Sequence, residues 1–276
     1  MRWRKNYIDG TFGDRTVILT TGVIDRPRKV VLLFHGVHSN ASSEPGNKYA
    51  RIGAALAENR IVPVLAESSR KVRNRHDYAN VPLRWIYDAF DGKTYAEELE
   101  DFYNAYEATR ALYPGLPLTL WGFSLGGLSA LLIAGGTMTG EIAPNIEGLI
   151  LCGSGDAVFP ENKEIFKLPI LSSLERNDRL LQAARNVNVR WARVFRGGED
   201  ATFPSDSCRR IFDALAVADK KYYEIDGSDH SFRFLRGMPS RRPLEDRQRI
   251  LKDSHTGAFA VISIVFYILA YFAFTS

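Results

Sequence analysis

From residue 29 onward the chain alternates short, β-branched, apolar runs with longer stretches of helical periodicity. This order limits the fold more than any other feature of the sequence. A strand followed by a helix and then another strand builds a parallel sheet through right-handed crossovers, with helices on its faces. The runs at 29–34, 61–66, 118–123, 146–152, 189–195 and 221–225 read as strands. Several have no polar residue in alternation, as expected of strands covered on both faces. Helices are expected over 47–59, 94–112, 126–134 and 205–218. In the second of these, Leu99, Phe102, Tyr103 and Tyr106 recur at three and four residue intervals, and Pro114 and Pro117 close it. Residues 2–8 and 15–21 flank Asp9-Gly10 and read as an antiparallel pair leading into the sheet. The fold class is therefore α/β.

Composition removes several function classes. Lys and Arg number 36 against 32 Asp and Glu, a formal charge of +4, too small to mark a nucleic-acid binder. Two cysteines, Cys152 and Cys208, stand alone, so neither a disulfide framework nor a zinc site is expected. No metal and no cofactor is called for. His35 and His38 lie three apart, but no carboxylate cluster accompanies them as a ligand set would require. Residues 1–10 lack the apolar run of a secretory signal, so the expected location is cytoplasmic.

The chemistry concentrates where strands end. Gly122-Phe123-Ser124-Leu125-Gly126 fits G-x-S-x-G at a strand-to-helix junction, the setting of a nucleophile elbow. A serine on so sharp a turn is strained, and glycines two residues to either side relieve collisions. A serine hydroxyl needs a base, and the base needs a carboxylate to fix its tautomer. His230 follows the last strand, at the sheet edge where such groups collect. Asp200 follows a strand and a Gly-Gly turn, with Glu199 beside it and Asp156 after the preceding strand as competing acids. The order Ser124, Asp200, His230 is that of an α/β-hydrolase.

His35-Gly36 after the first parallel strand, the elbow at Ser124, the Gly-Gly-x-Asp element ending at Asp200, and His230 together resemble the α/β-hydrolase family over roughly residues 15–232. The resemblance implies a mostly parallel sheet of about eight strands with helices on both faces. It also implies an oxyanion hole built from the backbone N–H groups of Val37 and Leu125, such donors contributing roughly 3–4 kcal/mol each in comparable sites. The family often carries a cap after its sixth strand. Here 156–188 leaves room for one or two short helices, so the site is expected to be open. The domain reading is a hydrolase unit over 1–256 with this small cap, followed by an apolar tail at 257–276.

The expected activity is that of a serine hydrolase cleaving carboxylic esters through an acyl-enzyme, an esterase or a lipase acting on acylglycerols or lysophospholipids. A peptidase or thioesterase would use the same residues, and a non-catalytic binding protein would keep the fold. The substrate is a small or lipid-like ester. Arg70, Lys71, Arg73 and Arg75, with Arg233, Arg236, Arg241 and Arg242, form basic loops that either are solvated surface or attract anionic substrates and lipid headgroups. Residues 257–275 carry no charge and approach the length of a membrane span. They read as a core helix, or as a contact with a membrane surface or a second copy of the chain.

Overall fold

The computed structural model describes residues 1–37, 39–141, 143–159, 168–174 and 177–233. The strands are β1 (Trp3–Asp9), β2 (Thr16–Gly22), β3 (Lys29–Phe34), β4 (Ile61–Glu67), β5 (Leu118–Phe123), β6 (Ile146–Cys152), β7 (Trp191–Gly197) and β8 (Asp219–Ile225). They form one sheet in the order β1-β2-β4-β3-β5-β6-β7-β8. β1 and β2 pair antiparallel, β2 meets β4 antiparallel, and every pairing from β4 to β8 is parallel.

Side-chain alternation explains the two layers of core. In β3, Val30, Leu32 and Phe34 enter one apolar cluster while Val31 and Leu33 enter the other, as a period of two requires. Helix α1 (Lys48–Glu58) covers the second face, burying Tyr49, Ile52 and Leu56. On the first face lie α2 (Pro82–Phe90), α3 (Tyr95–Leu112) and α4 (Leu125–Ala134). All ten residues of α4 are buried, which is why that helix is apolar or small around its whole circumference. Thr94 and Glu97 form a reciprocal capping box at the start of α3.

Beyond two-residue shifts at β7 and β8, expected at 189–195 and 221–225, the structure departs from the sequence expectations at three places. Helix α2 was not foreseen; Pro82 opens it, and Trp85, Ala89 and Phe90 drop into the core behind a strongly basic loop. Two helices follow in the expected cap, α5 (Pro169–Ser172) and α6 (Asn177–Asn186). α6, however, belongs to the layer over the sheet. It buries Leu180, Ala183 and Ala184, and Gly135 at the end of α4 approaches so closely that a Cβ there would lie 2.5 Å from the Ala183 carbonyl oxygen. Residues 160–167 and 175–176 of the expected cap segment lie outside the described residues. Finally, α7 (Ser205–Ala214) ends four residues before the expected position, because Leu215 turns to extended backbone ahead of β8. The apolar stretch 257–276 lies outside the described residues. Among those described, no helix is long and apolar enough to cross a membrane.

Candidate active site

Ser124 sits between β5 and α4 with φ 53° and ψ −120°. A side-chain-bearing residue there is strained by roughly 1–3 kcal/mol, so the surroundings must hold it. They do so through the Ser124 N–H, which donates to the Cys152 carbonyl at 2.8 Å, and the Ser124 carbonyl, which accepts from Ser154 Oγ at 2.9 Å. The flanking glycines are steric necessities. A Cβ on Gly122 would lie 2.1 Å from the Gly126 carbonyl oxygen, and one on Gly126 would lie 2.4 Å from that of His35. The elbow is therefore wedged against the end of β3.

His230 lies in the loop after β8. Its Nε2 is 3.0 Å from Ser124 Oγ and its Nδ1 is 2.9 Å from Asp200 Oδ2. Phe232, itself buried at φ 60°, anchors the loop against the Phe123 ring. The other Asp200 oxygen accepts N–H bonds from Thr202 at 2.7 Å and Phe203 at 3.0 Å. Burial opposes ionisation of Asp200, but the His230 bond and charge and the two backbone donors outweigh it and hold the carboxyl below the usual carboxylate range. An ionised Asp200 keeps the imidazole proton on Nδ1. Nε2 is then left with a lone pair facing the serine hydroxyl. Asp200 is fully buried, whereas a quarter of the His230 side chain and part of Ser124 reach solvent.

The competing acids are elsewhere. Glu199 is exposed, and Asp156 is held by Arg210 through bonds of 2.7 and 2.9 Å. Leu125 opens α4, where the helix dipole favours negative charge. Among the described residues, neither its N–H nor that of Val37 is bonded to an acceptor. Gly36 brings the Val37 turn alongside the elbow, since a Cβ on it would lie 3.1 Å from Ser124 Cβ.

Among solved structures, a cold-adapted esterase from an Arctic intertidal metagenomic library matches with 16% identity and a TM-score of 0.57, over 83% of this chain and 86% of that one. A monoacylglycerol lipase from Paleococcus ferrophilus matches with 14% identity and a TM-score of 0.58, over 98% and 99%. A dienelactone hydrolase from Anabaena variabilis matches with 14% identity and a TM-score of 0.55, over 83% and 89%. The chain has the α/β-hydrolase fold. No curated protein sequence matches it. The family described as cobalamin-5-phosphate synthase matches residues 234–276, well under half of the chain.

Within this hydrolase fold the remaining sequence candidates resolve as follows. His35 is fully buried and its Nε2 faces N–H donors, which leaves no lone pair for a metal; His38 and His255 lie outside the described residues. Among the described residues there is no group of three or more side chains placed to hold a metal ion. Cys152 and Cys208 are unpaired thiols that burial pushes up to about 12, so neither competes as a nucleophile. The basic loop after β4 is largely neutralised. Lys71 bonds Asp91 at 2.9 Å, Arg73 pairs with Asp14 and Glu67, and Arg75 lies over the Trp85 ring. Arg233 pairs with Asp229 at 2.8 Å, while Arg236, Arg241 and Arg242 lie outside the described residues.

Sequence reasoning missed a sealed polar cluster one strand away. Lys93 Nζ donates to Glu98 at 2.6 Å, to Asp101 at 2.7 Å and to the Ser69 carbonyl at 2.7 Å, and Arg70 lies beside it, all without solvent exposure. Its partners are far apart in the chain, as in Thr11 to Asp101 and Ser69 to Asp101. No local pattern could have announced it.

Proposed function

We propose that the chain is a serine hydrolase that cleaves carboxylic esters. The observation that carries this reading is the strained Ser124, hydrogen-bonded to a histidine whose other nitrogen is held by a buried carboxylate. In the first step His230 Nε2 takes the Ser124 hydroxyl proton as Oγ bonds to the ester carbonyl carbon. The carbonyl π pair moves onto oxygen, where the Val37 and Leu125 N–H groups receive it. When that pair returns, the C–O bond to the alcohol breaks and the protonated His230 supplies the leaving group's proton. Water, giving a proton to the same nitrogen, then attacks the acyl carbon; as the new tetrahedral carbon collapses, its bond to Ser124 Oγ breaks, His230 returns the proton to Oγ, and the carboxylic acid leaves. Asp200 fixes the tautomer and stabilises the imidazolium throughout. This scheme requires neither cofactor nor metal.

Lipid-like esters such as acylglycerols and lysophospholipids are the proposed substrates, and the small cap expected from the sequence favours an open site able to take a long acyl chain. Esters, thioesters and anilides of graded acyl length test the choice, with esters expected to show the highest kcat/KM; a thioester or anilide optimum would replace the ester reading.

The tail is a separate proposal. We propose that Arg241, Arg242, Arg247, Arg249 and Lys252 together with 257–275 bring a cytoplasmic enzyme to an anionic membrane surface. The chain lacking 257–276 should lose co-sedimentation with anionic liposomes while keeping its activity on a short ester. A dimer that dissociates on truncation, with no liposome binding, would instead make the tail a contact between copies.

A further inference from the structure

His35 carries its ring between two unequal sets of neighbours. On one side the Ser68 backbone N–H at 3.2 Å and an Arg70 guanidinium N–H at 3.1 Å both point at Nε2, and the Ser68 hydroxyl, which can donate or accept, lies 3.3 Å from it. The two N–H groups can only donate and the hydroxyl can join them, so Nε2 holds a lone pair and the ring proton is on Nδ1. On the other side Nδ1 lies 2.9 Å from the Gly36 carbonyl oxygen, an acceptor. Glu98 Oε1, at 4.0 Å from Nδ1, is outside hydrogen-bond range.

The Gly36 carbonyl and the Val37 N–H belong to one planar trans peptide and point in opposite directions. Holding that carbonyl against His35, with help from the Ser39 N–H at 3.1 Å, therefore fixes where the Val37 donor points. With the proton on Nε2 instead, an Nδ1 lone pair would face the carbonyl oxygen and repel it. Turning the peptide over would then replace a donor by an acceptor beside Ser124.

Arg70 has little freedom to do anything else. It is fully buried, its Nε donates to the Ser68 carbonyl at 3.3 Å, and its guanidinium lies over the Phe90 and Trp85 rings. Glu67 approaches Nη1 at 3.5 Å, but Nη1 makes no hydrogen bond. An apolar residue in such a place is commonly as stabilising as a buried charge, so stability alone does not account for it. We propose that Arg70 is a positioning residue which, by locking the His35 tautomer, holds the Gly36–Val37 peptide with its N–H toward the oxyanion. This rests on the serine-hydrolase reading above.

Two further facts agree. Burial, and next the Arg70 charge, push the His35 pKa down to about 3, against the opposing effects of the Gly36 bond and Glu67, so the ring is neutral at working pH. The surrounding charges are Arg70, Lys93, Glu67 and Glu98, and a protonated ring would lose the Arg70 contact.

The test begins with the full-length wild type, where long-range 15N–1H correlations of His35 should show Nε2 unprotonated; an Nε2–H tautomer overturns the proposal whether or not the protein hydrolyses esters. Arg70→Met, confirmed folded by its circular dichroism and melting, should lose roughly 30- to 100-fold in kcat with KM within about threefold, somewhat less than deletion of an oxyanion donor. The affinity of a trifluoromethyl ketone should fall in parallel. A folded Arg70→Met with wild-type kcat overturns the proposal. If that variant does not fold, the pair His35→Asn and His35→Phe decides: Asn retains an N–H near the Nδ1 position and should stay within about tenfold of wild type, while Phe should fall about 100-fold. Equal rates in the pair overturn it. A wild type that neither turns over esters nor reacts with a fluorophosphonate refutes the serine-hydrolase reading instead, and the tautomer still reports on the lock.

Discussion

Two histidines on the same edge of the sheet each stand between a serine hydroxyl and a carboxylate. His230 has Ser124 Oγ at 3.0 Å and Asp200 at 2.9 Å; His35 has Ser68 Oγ at 3.3 Å and Glu98 at 4.0 Å. Residue types alone would not separate them. Surroundings do. Around His230 the carboxylate is bonded to Nδ1, the serine faces a free lone pair, and the ring reaches solvent. Around His35, Nδ1 is spent on the Gly36 carbonyl, Nε2 is filled by the Ser68 and Arg70 N–H groups, and nothing is exposed. Ser124 is strained on its elbow, while Ser68 simply continues from β4. A reactive row needs an open lone pair and access; the sealed one is proposed to hold backbone in place.

The contrast breaks most sharply at the two serines. Ser124→Ala should lower kcat by on the order of 10⁴-fold or more without altering the melting curve, whereas Ser68→Ala should stay within about threefold. Steady-state kinetics on a short ester checks both, and a large loss from Ser68→Ala would erase the distinction. The carboxylates should divide by kind of effect. Asp200→Asn should cost on the order of 10³- to 10⁴-fold in kcat by disturbing the His230 tautomer. Glu98→Gln should leave the kcat of the folded protein close to wild type but cost about 3 kcal/mol in urea unfolding, because the buried Lys93 loses one of its two carboxylate partners.

Acid should expose the sealed histidine. Folded His35 stays neutral down to about 3, while in the unfolded chain it takes up a proton below 6.5. The unfolded state thus binds more protons as the pH falls through that window, and stability drops by up to about 1.4 kcal/mol per pH unit, the full contribution being present only above it. Between pH 7.5 and 5.0 this amounts to about 2 kcal/mol, which urea titrations should show and His35→Asn should remove. The depressed Asp200 carboxyl acts in the same direction at lower pH, contributing stability above its unfolded value and losing it as the pH falls toward its folded one.

The comparison also explains which parts of the molecule could be read from the chain. β3, β5 and β6 were legible to the residue, because strands covered on both faces are continuous apolar runs with polar or turn-forming neighbours. The elbow was legible because only glycine fits at 122 and 126. Asp200 was legible as one of three acids, since nothing local distinguishes it from Glu199; burial and the Thr202 and Phe203 bonds do. Arg70 looked like one of four basic loop residues, yet it is the one that turns inward. Glu98 and Asp101 lie outside the apolar positions that mark α3 in the sequence, and the pairing of each with Lys93 depends on how α3 meets the end of β4. Helix α6 was read as cap because its contacts, with Gly135 and its neighbours, are non-local.

The account turns on Ser124 being, among the described residues, the only serine with both a histidine on its hydroxyl and a way in. Labelling the full-length protein with a fluorophosphonate and mapping the adduct by peptide mass spectrometry tests this directly. The expected result is a single adduct on Ser124, with Ser68 unmodified and no adduct in His230→Ala. An adduct on Ser68 or another serine, or ester turnover by a protein whose Ser124 remains unlabelled, would contradict it.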